Sequence, residues 1–191
     1  RIGAEAIKKA GVTNEQVACM TLSVQTGVTL FWNKKTGKPE HRLIGWQCSR
    51  GSEVADRLTK EQQSYINKLT GATVSGFTIA TKLRQVFDTE PELYESVKKG
   101  ETLIGTDDGY LIYRLTGGKR HVIEYNNACT TQLFDMRKMD WDDGALDMFG
   151  LERRFMPEVM ASDERFGVIA DERLRGIPLY GVLWDGCAAM Y

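Results

Sequence analysis

The sequence predicts an α/β fold, because short apolar runs that favour strands alternate with longer amphipathic segments that favour helices. The run at residues 17–23 is almost continuously apolar, which is typical of a strand buried on both faces of a sheet. A chain of 191 residues can bury one sizeable core, so a single domain, with or without an appendage, is expected.

The first half of the chain is predicted to contain a helix, three strands and four further helices. The opening helix, Ile2–Ala10, ends at Gly11. Apolar runs predict strands at residues 17–23, 28–32 and 42–46, with an exposed turn at residues 33–39. Amphipathic segments predict helices at residues 52–58, 61–69, 80–87 and 91–99, the second of which is capped by Thr59.

The second half continues the alternation. A short strand is predicted at Thr102–Gly105, followed by a helix at Asp107–Leu115 that starts with two acidic residues and ends at a glycine pair. Residues 121–125 predict an extended segment, and residues 140–149 and 151–155 predict two helices. The last apolar run, residues 179–185, predicts a buried strand with Asp185 at its carboxyl end.

Composition and charge exclude several classes of protein. The net charge of −1 provides no basic face, so a nucleic-acid partner is not expected. No apolar run approaches the roughly 18 residues that a membrane span needs. Four separated cysteines and two histidines offer no metal-ligand spacing, so we expect reduced thiols, a cytoplasmic location and no metal site in this chain.

Asp185 is the strongest candidate for a catalytic residue. Generic phosphate-binding loops and Ser-His-Asp sets are missing from the sequence. A carboxylate at the carboxyl end of a strand lies where open α/β sheets bind ligands, and it can take a proton from a hydroxyl group. The alternative is that Asp185 only caps a following helix.

Two other pairs of residues have both a functional and a structural interpretation. Trp46 and Gln47 follow a predicted strand, where they would either line a polar pocket or simply pack. Asp107 and Asp108 are either a coupled acid pair or the acidic start of a helix.

An ordered series of segments runs along nearly the whole chain. It includes Trp32-Asn-Lys-Lys-Thr-Gly-Lys-Pro, Trp46-Gln47, Thr81-Lys-Leu, Gly105-Thr, Tyr125-Asn-Asn-Ala, Leu133-Phe-Asp, Met139-Asp-Trp-Asp-Asp, Met156-Pro-Glu-Val and Gly176-Ile-Pro-Leu-Tyr-Gly-Val before Asp185. In order and spacing, the series resembles the glycerol kinases of the FGGY carbohydrate kinase family. The resemblance implies a ribonuclease-H-like fold of the actin, Hsp70 and sugar-kinase type. It also implies ATP-dependent phosphorylation of a polyol or sugar, with ATP and Mg²⁺ bound by the intact protein and not by this chain alone.

The resemblance also implies roles for particular residues. Asp185 falls on the family's catalytic base, and Trp46 and Phe77 fall on positions that wall the substrate pocket. Thr26 and Gly27 stand where glycerol kinases have an Arg-Glu pair that holds the polyol hydroxyls. Gly186 replaces a Gln, and Phe77 replaces a Tyr. Each lost partner of a buried hydroxyl costs about 1–3 kcal/mol, so specific glycerol binding is not expected.

In the family, one phosphate-binding hairpin precedes the segment that matches this chain, and a second phosphate loop with the adenosine site follows it. We therefore expect residues 1–191 to form part of the N-terminal, substrate-side domain, inactive in isolation and completed by the rest of a kinase or by a protein partner, including a homo-oligomer. Three hypotheses for the intact protein remain. It is an active carbohydrate kinase with Asp185 as general base, a degenerate homologue with a structural or partner-binding role, or a module that binds a small molecule without chemistry.

Overall fold

The computed structural model describes residues 2–190 and shows strands and helices alternating along the chain. The first half contains α1 (Ile2–Ala10), β1 (Met20–Val24), β2 (Leu30–Asn33), α2 (Ser52–Arg57), α3 (Lys60–Thr70), α4 (Ile79–Thr89) and α5 (Pro91–Lys98). Thr59 caps α3 as predicted, since its hydroxyl oxygen accepts a hydrogen bond from the Gln62 N–H at 3.2 Å. Gly11 follows α1 with φ of 69°, a backbone conformation that favours glycine.

The second half is made of shorter elements. They are β3 (Thr102–Gly105), α6 (Asp107–Leu115), β4 (Val122–Glu124), α7 (Tyr125–Thr130), β5 (Phe134–Asp135), β6 (Asp140–Trp141), α8 (Asp143–Met148), β7 (Glu158–Met160), β8 (Arg165–Val168), β9 (Pro178–Trp184) and α9 (Asp185–Ala188). Single 3₁₀ turns lie at Asn14–Gln16, Arg153–Phe155 and Glu172–Leu174.

The described strands form one mixed sheet of three strands and three two-stranded pairs. The largest has the order β1-β9-β8, in which β1 runs parallel to β9 and β8 runs antiparallel to it. β2 and β3 pair antiparallel, β4 and β7 pair parallel, and β5 and β6 form a two-residue antiparallel ladder. The parallel pairing of β1 with β9 joins residues near the two ends of the chain. The other described strands and most of the helices lie between these two strands in the sequence.

Apolar side chains gather into three buried clusters. The largest packs α4 against the β2/β3 pair, and Phe31, Val86 and Phe149 are fully buried in it. A second cluster lies between the β1-β9-β8 sheet and α6, around Val24, Ile112 and Val182. The third surrounds Trp32. Burial of this apolar surface is the main force that holds the elements together.

Several predicted elements need correction. Residues 42–46 form no strand, because only Ile44 makes a bridge, to Thr29. The strand β1 is not buried on both faces: Thr21 and Ser23 are exposed, and they alternate with the more buried Leu22 and Val24 in the way of a half-buried strand.

The boundaries of other elements also differ from the prediction. The segment at residues 140–149 begins as a strand before α8, and residues 151–155 form only a 3₁₀ turn. Four further elements, α7, β5, β7 and β8, had no counterpart among the predicted ones, because they are short and lack strong periodicity. Within residues 2–190, no helix is both long enough and apolar enough to cross a membrane.

Candidate functional site: a tryptophan-lined cleft at the strand ends

The candidate site lies where β1 and β9 end side by side. Val24 and Trp184 are register partners at the carboxyl ends of these two parallel strands. The turn after β1 and Asp185 after β9 therefore emerge at the same edge of the sheet, the edge at which open α/β sheets bind ligands. They border a cleft of about 510 Å³ lined by Gln25, Thr26, Gly27, Trp46, Trp184 and Asp185.

Two tryptophans flank this cleft. Trp46 is 53% exposed and Trp184 is 39% exposed, which is unusual for such large aromatic side chains. Each packs against a glycine: a Cβ atom added to Gly27 would lie 3.0 Å from the Trp46 Cβ, and one added to Gly186 would lie 3.0 Å from the Trp184 ring. Gly186 lets the Trp184 indole lie directly on the backbone, whereas Gly27 lets the turn after β1 approach the backbone of Trp46. With both indoles in its lining, the cleft has apolar aromatic surfaces.

Asp185 is the ionisable residue among the six that line the cleft. It is exposed and is the first residue of α9, and its Oδ1 accepts a hydrogen bond from the Gly186 N–H at 2.9 Å. The cap position of this helix is Trp184, so Asp185 is not the capping residue.

The structure brings some of the predicted site residues together and not others. Thr26, Gly27, Trp46 and Asp185 line the cleft, and Gly186 packs beneath Trp184. Gln47 and Phe77 are exposed and lie outside this lining; Phe77 is in the turn before α4. Whether any of these residues binds a substrate stays a prediction.

Lys82, from α4, lies beneath the cleft and was not predicted as a site residue. Its side chain is 0% exposed, and Nζ donates hydrogen bonds to the carbonyl oxygens of Gly27 at 3.0 Å, Gly45 at 2.9 Å and Trp46 at 3.5 Å. Burial lowers the pKa of this ammonium. Lys82 belongs to the segment Thr81-Lys-Leu that contributed to the resemblance, but only the folded chain shows which groups the lysine contacts.

Asp107 supports the turn after β1 from the other side. Its Oδ2 accepts a hydrogen bond from the Gln25 N–H at 3.0 Å, whereas Oδ1 is buried without a hydrogen-bond partner in the part of the chain that the structure describes. Burial raises the pKa of Asp107 to about 6, and the charge of Asp185 adds to this effect. Asp107 therefore carries a carboxyl group that titrates close to neutrality beside the cleft.

The neighbouring Asp108 is fully buried. Its oxygens accept hydrogen bonds from the Thr106 hydroxyl and, at 2.9 Å, from the Glu124 N–H. Burial raises its pKa to about 7, and the charge of Asp107 contributes. Asp107 and Asp108 are the first two residues of α6, so the interpretation as an acidic helix start is confirmed. The interpretation as a coupled acid pair stays a prediction.

The charge of the cleft limits what it can bind. Asp185 is its ionisable group, and the nearby ammonium of Lys82 is already bonded to three carbonyls. These residues do not fit a triphosphate, which needs cationic or N–H donors. Aromatic walls and a carboxylate instead fit a neutral ligand that has hydroxyl groups and an apolar face.

Comparison with solved structures defines the class of this fold. The crystal structure of Plasmodium falciparum glycerol kinase with ADP superposes with a TM-score of 0.89 and 26% identity, covering 97% of this chain and 38% of that one. A ligand-bound xylulose kinase from Lactobacillus acidophilus superposes with a TM-score of 0.80 at 16% identity, covering 98% of this chain and 39% of that one, and shows the fold alone. The chain has the actin/Hsp70-like fold of sugar kinases, as predicted.

Sequence comparison gives the family. The model for the N-terminal domain of the FGGY family of carbohydrate kinases matches residues 2–190. Glycerol kinase from Pasteurella multocida (strain Pm70) is 37% identical over 190 residues, which is 98% of this chain and 38% of the relative. Glycerol kinase from Thermococcus onnurineus (strain NA1) is 39% identical over 187 residues, 97% of this chain and 37% of the relative. The chain belongs to the FGGY family and spans less than two-fifths of the length of these relatives.

Proposed function

We propose that the protein transfers a phosphoryl group from ATP to a hydroxyl group of a polyol or sugar, with Asp185 as the general base. The observation that carries this proposal is the position of Asp185, which follows β9 and faces the cleft beside the turn after β1. The similarity to glycerol kinases over 97% or more of the chain supports the reaction class.

The chemistry proposed for Asp185 is proton removal. As an acceptor hydroxyl oxygen forms its bond to phosphorus, its proton passes to the carboxylate, and ADP leaves with the electrons of the broken P–O bond. Removing the proton makes the oxygen a stronger nucleophile. The exposed carboxylate oxygens lie in the cleft that would hold the acceptor.

Acceptor binding is proposed to rest on the two tryptophans and on backbone groups. Trp46 and Trp184 would cover the C–H face of a polyol or sugar, while Thr26 and Gln25 offer polar groups near Asp185. Gly27, Gln47, Phe77 and Gly186 remain proposed contributors to this acceptor site. With Thr26 and Gly27 at the turn, no charged side chain from that position anchors the acceptor.

We also propose that residues 1–191 are the substrate-side part of a larger kinase. Because the cleft does not fit a triphosphate, ATP and Mg²⁺ would be held by other residues, in the remaining kinase domain or in a protein partner, including a second copy of the chain. The four cysteines are unpaired in the structure, which supports the proposed cytoplasmic location.

The decisive experiment is a kinase assay on the intact protein with a panel of polyols and sugars. We expect ATP-dependent turnover with at least one acceptor, and we expect Asp185→Asn to lower kcat by about 10²–10⁴-fold. Asp56→Asn, at an exposed carboxylate on α2, is the control and should keep full activity. Equal activity of Asp185→Asn and the wild type would remove Asp185 from the proposed role.

A second candidate function is a structural or partner-binding role without catalysis. It is favoured by the turn at Thr26 and Gly27, which lacks charged side chains where the resemblance implies substrate-binding ones. In that case the intact protein would show no turnover with any acceptor. The intact mass of the protein from its native source, compared with 21.5 kDa, would show whether a nucleotide-binding domain accompanies this chain.

A further inference from the structure

A buried ammonium group joins two segments beside the cleft. The three hydrogen bonds of Lys82 reach Gly27, in the turn after β1, and Gly45 and Trp46, in the segment that packs against this turn. An ammonium has three N–H donors and no acceptor, so these carbonyls use all of them. Lys82 comes from α4 and contributes no surface to the cleft itself.

The burial of this lysine is costly for stability alone. Its side chain is 0% exposed in a helix that packs on the largest apolar cluster. Taking an ammonium out of water has a large free-energy cost, and an apolar side chain of similar volume often serves stability equally well. A charged group at this place therefore indicates that the positions of the three carbonyl groups it contacts must be fixed.

The same turn is also fixed from the side of α6. Asp107 accepts the hydrogen bond of the Gln25 N–H at 3.0 Å, two residues before the carbonyl that Lys82 holds. The backbone of residues 25–27 thus donates to a carboxylate at one end and accepts from an ammonium at the other. We call this pair of side chains the Lys82–Asp107 clamp.

The turn depends on such backbone contacts because Gly27 has no side chain through which it could be fixed. Gly27 has φ of 72° and no side chain, and it lies against Trp46 so closely that an added Cβ would be 3.0 Å from the Trp46 Cβ. A small shift of this backbone would change the position of Trp46 relative to Asp185.

We propose that the Lys82–Asp107 clamp positions the acceptor cleft, with Lys82 holding the turn after β1 to the wall that carries Trp46 and Asp107 holding the other end of that turn. Both are positioning residues, since they act through the backbone and not by touching the acceptor. A cleft held in one arrangement before binding loses less entropy when the acceptor enters. The turnover part of this inference rests on the proposed kinase function.

The first test compares acceptor KM with kcat in the intact protein. Lys82→Met keeps the length of the side chain and removes all three donors, so acceptor KM should rise about tenfold while kcat changes less than about threefold. Asp107→Ala should act in the same direction. Asp107→Asn keeps an acceptor oxygen for the Gln25 N–H and should restore KM to within about threefold of the wild type.

Val86→Ala is the matched control for stability. Val86 lies on the same helix as Lys82, is fully buried in the main apolar cluster and does not line the cleft. It should lower the unfolding midpoint without raising acceptor KM. An unchanged KM in Lys82→Met, or an equal rise in Val86→Ala, would overturn the clamp. If Lys82→Met does not fold, the Asp107→Ala and Asp107→Asn pair decides the question.

The second test needs no turnover. The fluorescence of Trp46 is obtained as the difference between spectra measured with and without the substitution Trp46→Phe, and its quenching by acrylamide reports how accessible Trp46 is to solvent. We expect acrylamide to quench the Trp46 fluorescence at least about twofold more efficiently in Lys82→Met and Asp107→Ala than in the wild type. We expect no such increase in Val86→Ala. If the wild type shows no kinase activity and quenching still changes, the proposed function fails and the clamp stands. Unchanged quenching rejects the clamp, whether or not the enzyme is active.

Discussion

Val24 and Trp184 are register partners in adjacent parallel strands, although 160 positions separate them in the chain. Their pairing brings the ends of β1 and β9 together at one edge of the sheet. Gln25 and Asp185, the next residue in each strand's path, therefore both line the cleft. The candidate site depends on the parallel pairing of β1 with β9, which brings two segments from distant parts of the chain side by side.

The apolar wall formed by Trp184 can be tested by removing it. Trp184→Ala should raise acceptor KM about tenfold, because about 50 Å² of apolar contact at 25 cal/mol per Å² is lost. The proposed proton transfer to Asp185 should be little affected, so kcat should change less than KM. Steady-state kinetics on the intact protein measure both values.

Tyr180→Ala is the control for this substitution. Tyr180 lies on the same strand, β9, and its exposed fraction of 39% equals that of Trp184, but it does not line the cleft. We expect no change in acceptor KM. An equal effect of the two substitutions would mean that Trp184 acts only through the stability of β9.

The contact between Gly27 and Trp46 predicts a specific effect of Gly27→Ala. The substitution places a Cβ at a residue with φ of 72° and brings it to 3.0 Å from the Trp46 Cβ. Backbone strain should cost about 1–2 kcal/mol of unfolding free energy. In addition, Trp46 must move, so its fluorescence spectrum should shift and acceptor KM should rise.

Gly11→Ala separates these two effects. Gly11 has nearly the same φ, 69°, but a Cβ added there meets nothing within 4 Å. It should show a similar loss in urea unfolding without a change in Trp46 fluorescence or KM. A shift of fluorescence in both variants would show that strain alone disturbs the cleft.

The raised pKa of Asp107 predicts a pH dependence of stability. Its pKa is about 6 in the folded chain against an ordinary value of 3.8, so the folded state keeps a proton that the unfolded state has released between these values. The contribution of Asp107 to stability is therefore present at low pH and is lost as pH rises from about 4 to about 6.

Asp107→Asn removes this titration. The unfolding free energy of the variant minus that of the wild type should increase across the same pH window and stay constant above it. Urea unfolding at pH 4, 5, 6 and 7 measures this difference. A flat difference for Asp107→Asn would contradict the raised pKa.

Tyr65 and Asp142 predict a coupling between α3 and α8. The Tyr65 hydroxyl donates a hydrogen bond to Asp142 Oδ1 at 2.8 Å. The same oxygen accepts a hydrogen bond from the Ala145 N–H in the first turn of α8. Tyr65→Phe should lower the unfolding free energy by about 1 kcal/mol. Asp142→Ala should cost more, about 1–2 kcal/mol, because it also removes the cap.

A double-mutant cycle on these two residues provides the check. The combined variant should be less destabilised than the sum of the single variants, because both remove the same hydrogen bond. The hydrogen bond to Asp142 also raises the pKa of Tyr65, so the phenol should titrate at lower pH in Asp142→Ala. Additive effects in the cycle would show that the two side chains do not interact in solution.

Much of the local structure could be predicted from the sequence. Thr59 and Asp142 are side chains whose chemistry suits a helix cap, and both cap the helices that follow them. The acidic start of α6 and the strand that ends at Asp185 were also predicted within a few residues. The family could also be predicted, because its motifs are recognised by their order along the sequence, which does not depend on knowing the tertiary structure.

Other features were decided only by tertiary structure. Residues 17–23 are apolar overall, so the alternation of exposed Thr21 and Ser23 with more buried Leu22 and Val24 was not recognised as a half-buried strand. Residues 42–46 were predicted as a strand, although only Ile44 forms a bridge. The sequence by itself determined the α/β class, the cap of α3 and the position of Asp185 at the end of a strand. The cleft, the burial of Lys82 and the pairing of Asp107 with Gln25 required distant segments to meet, and no local pattern encodes contacts across 55 or 82 positions.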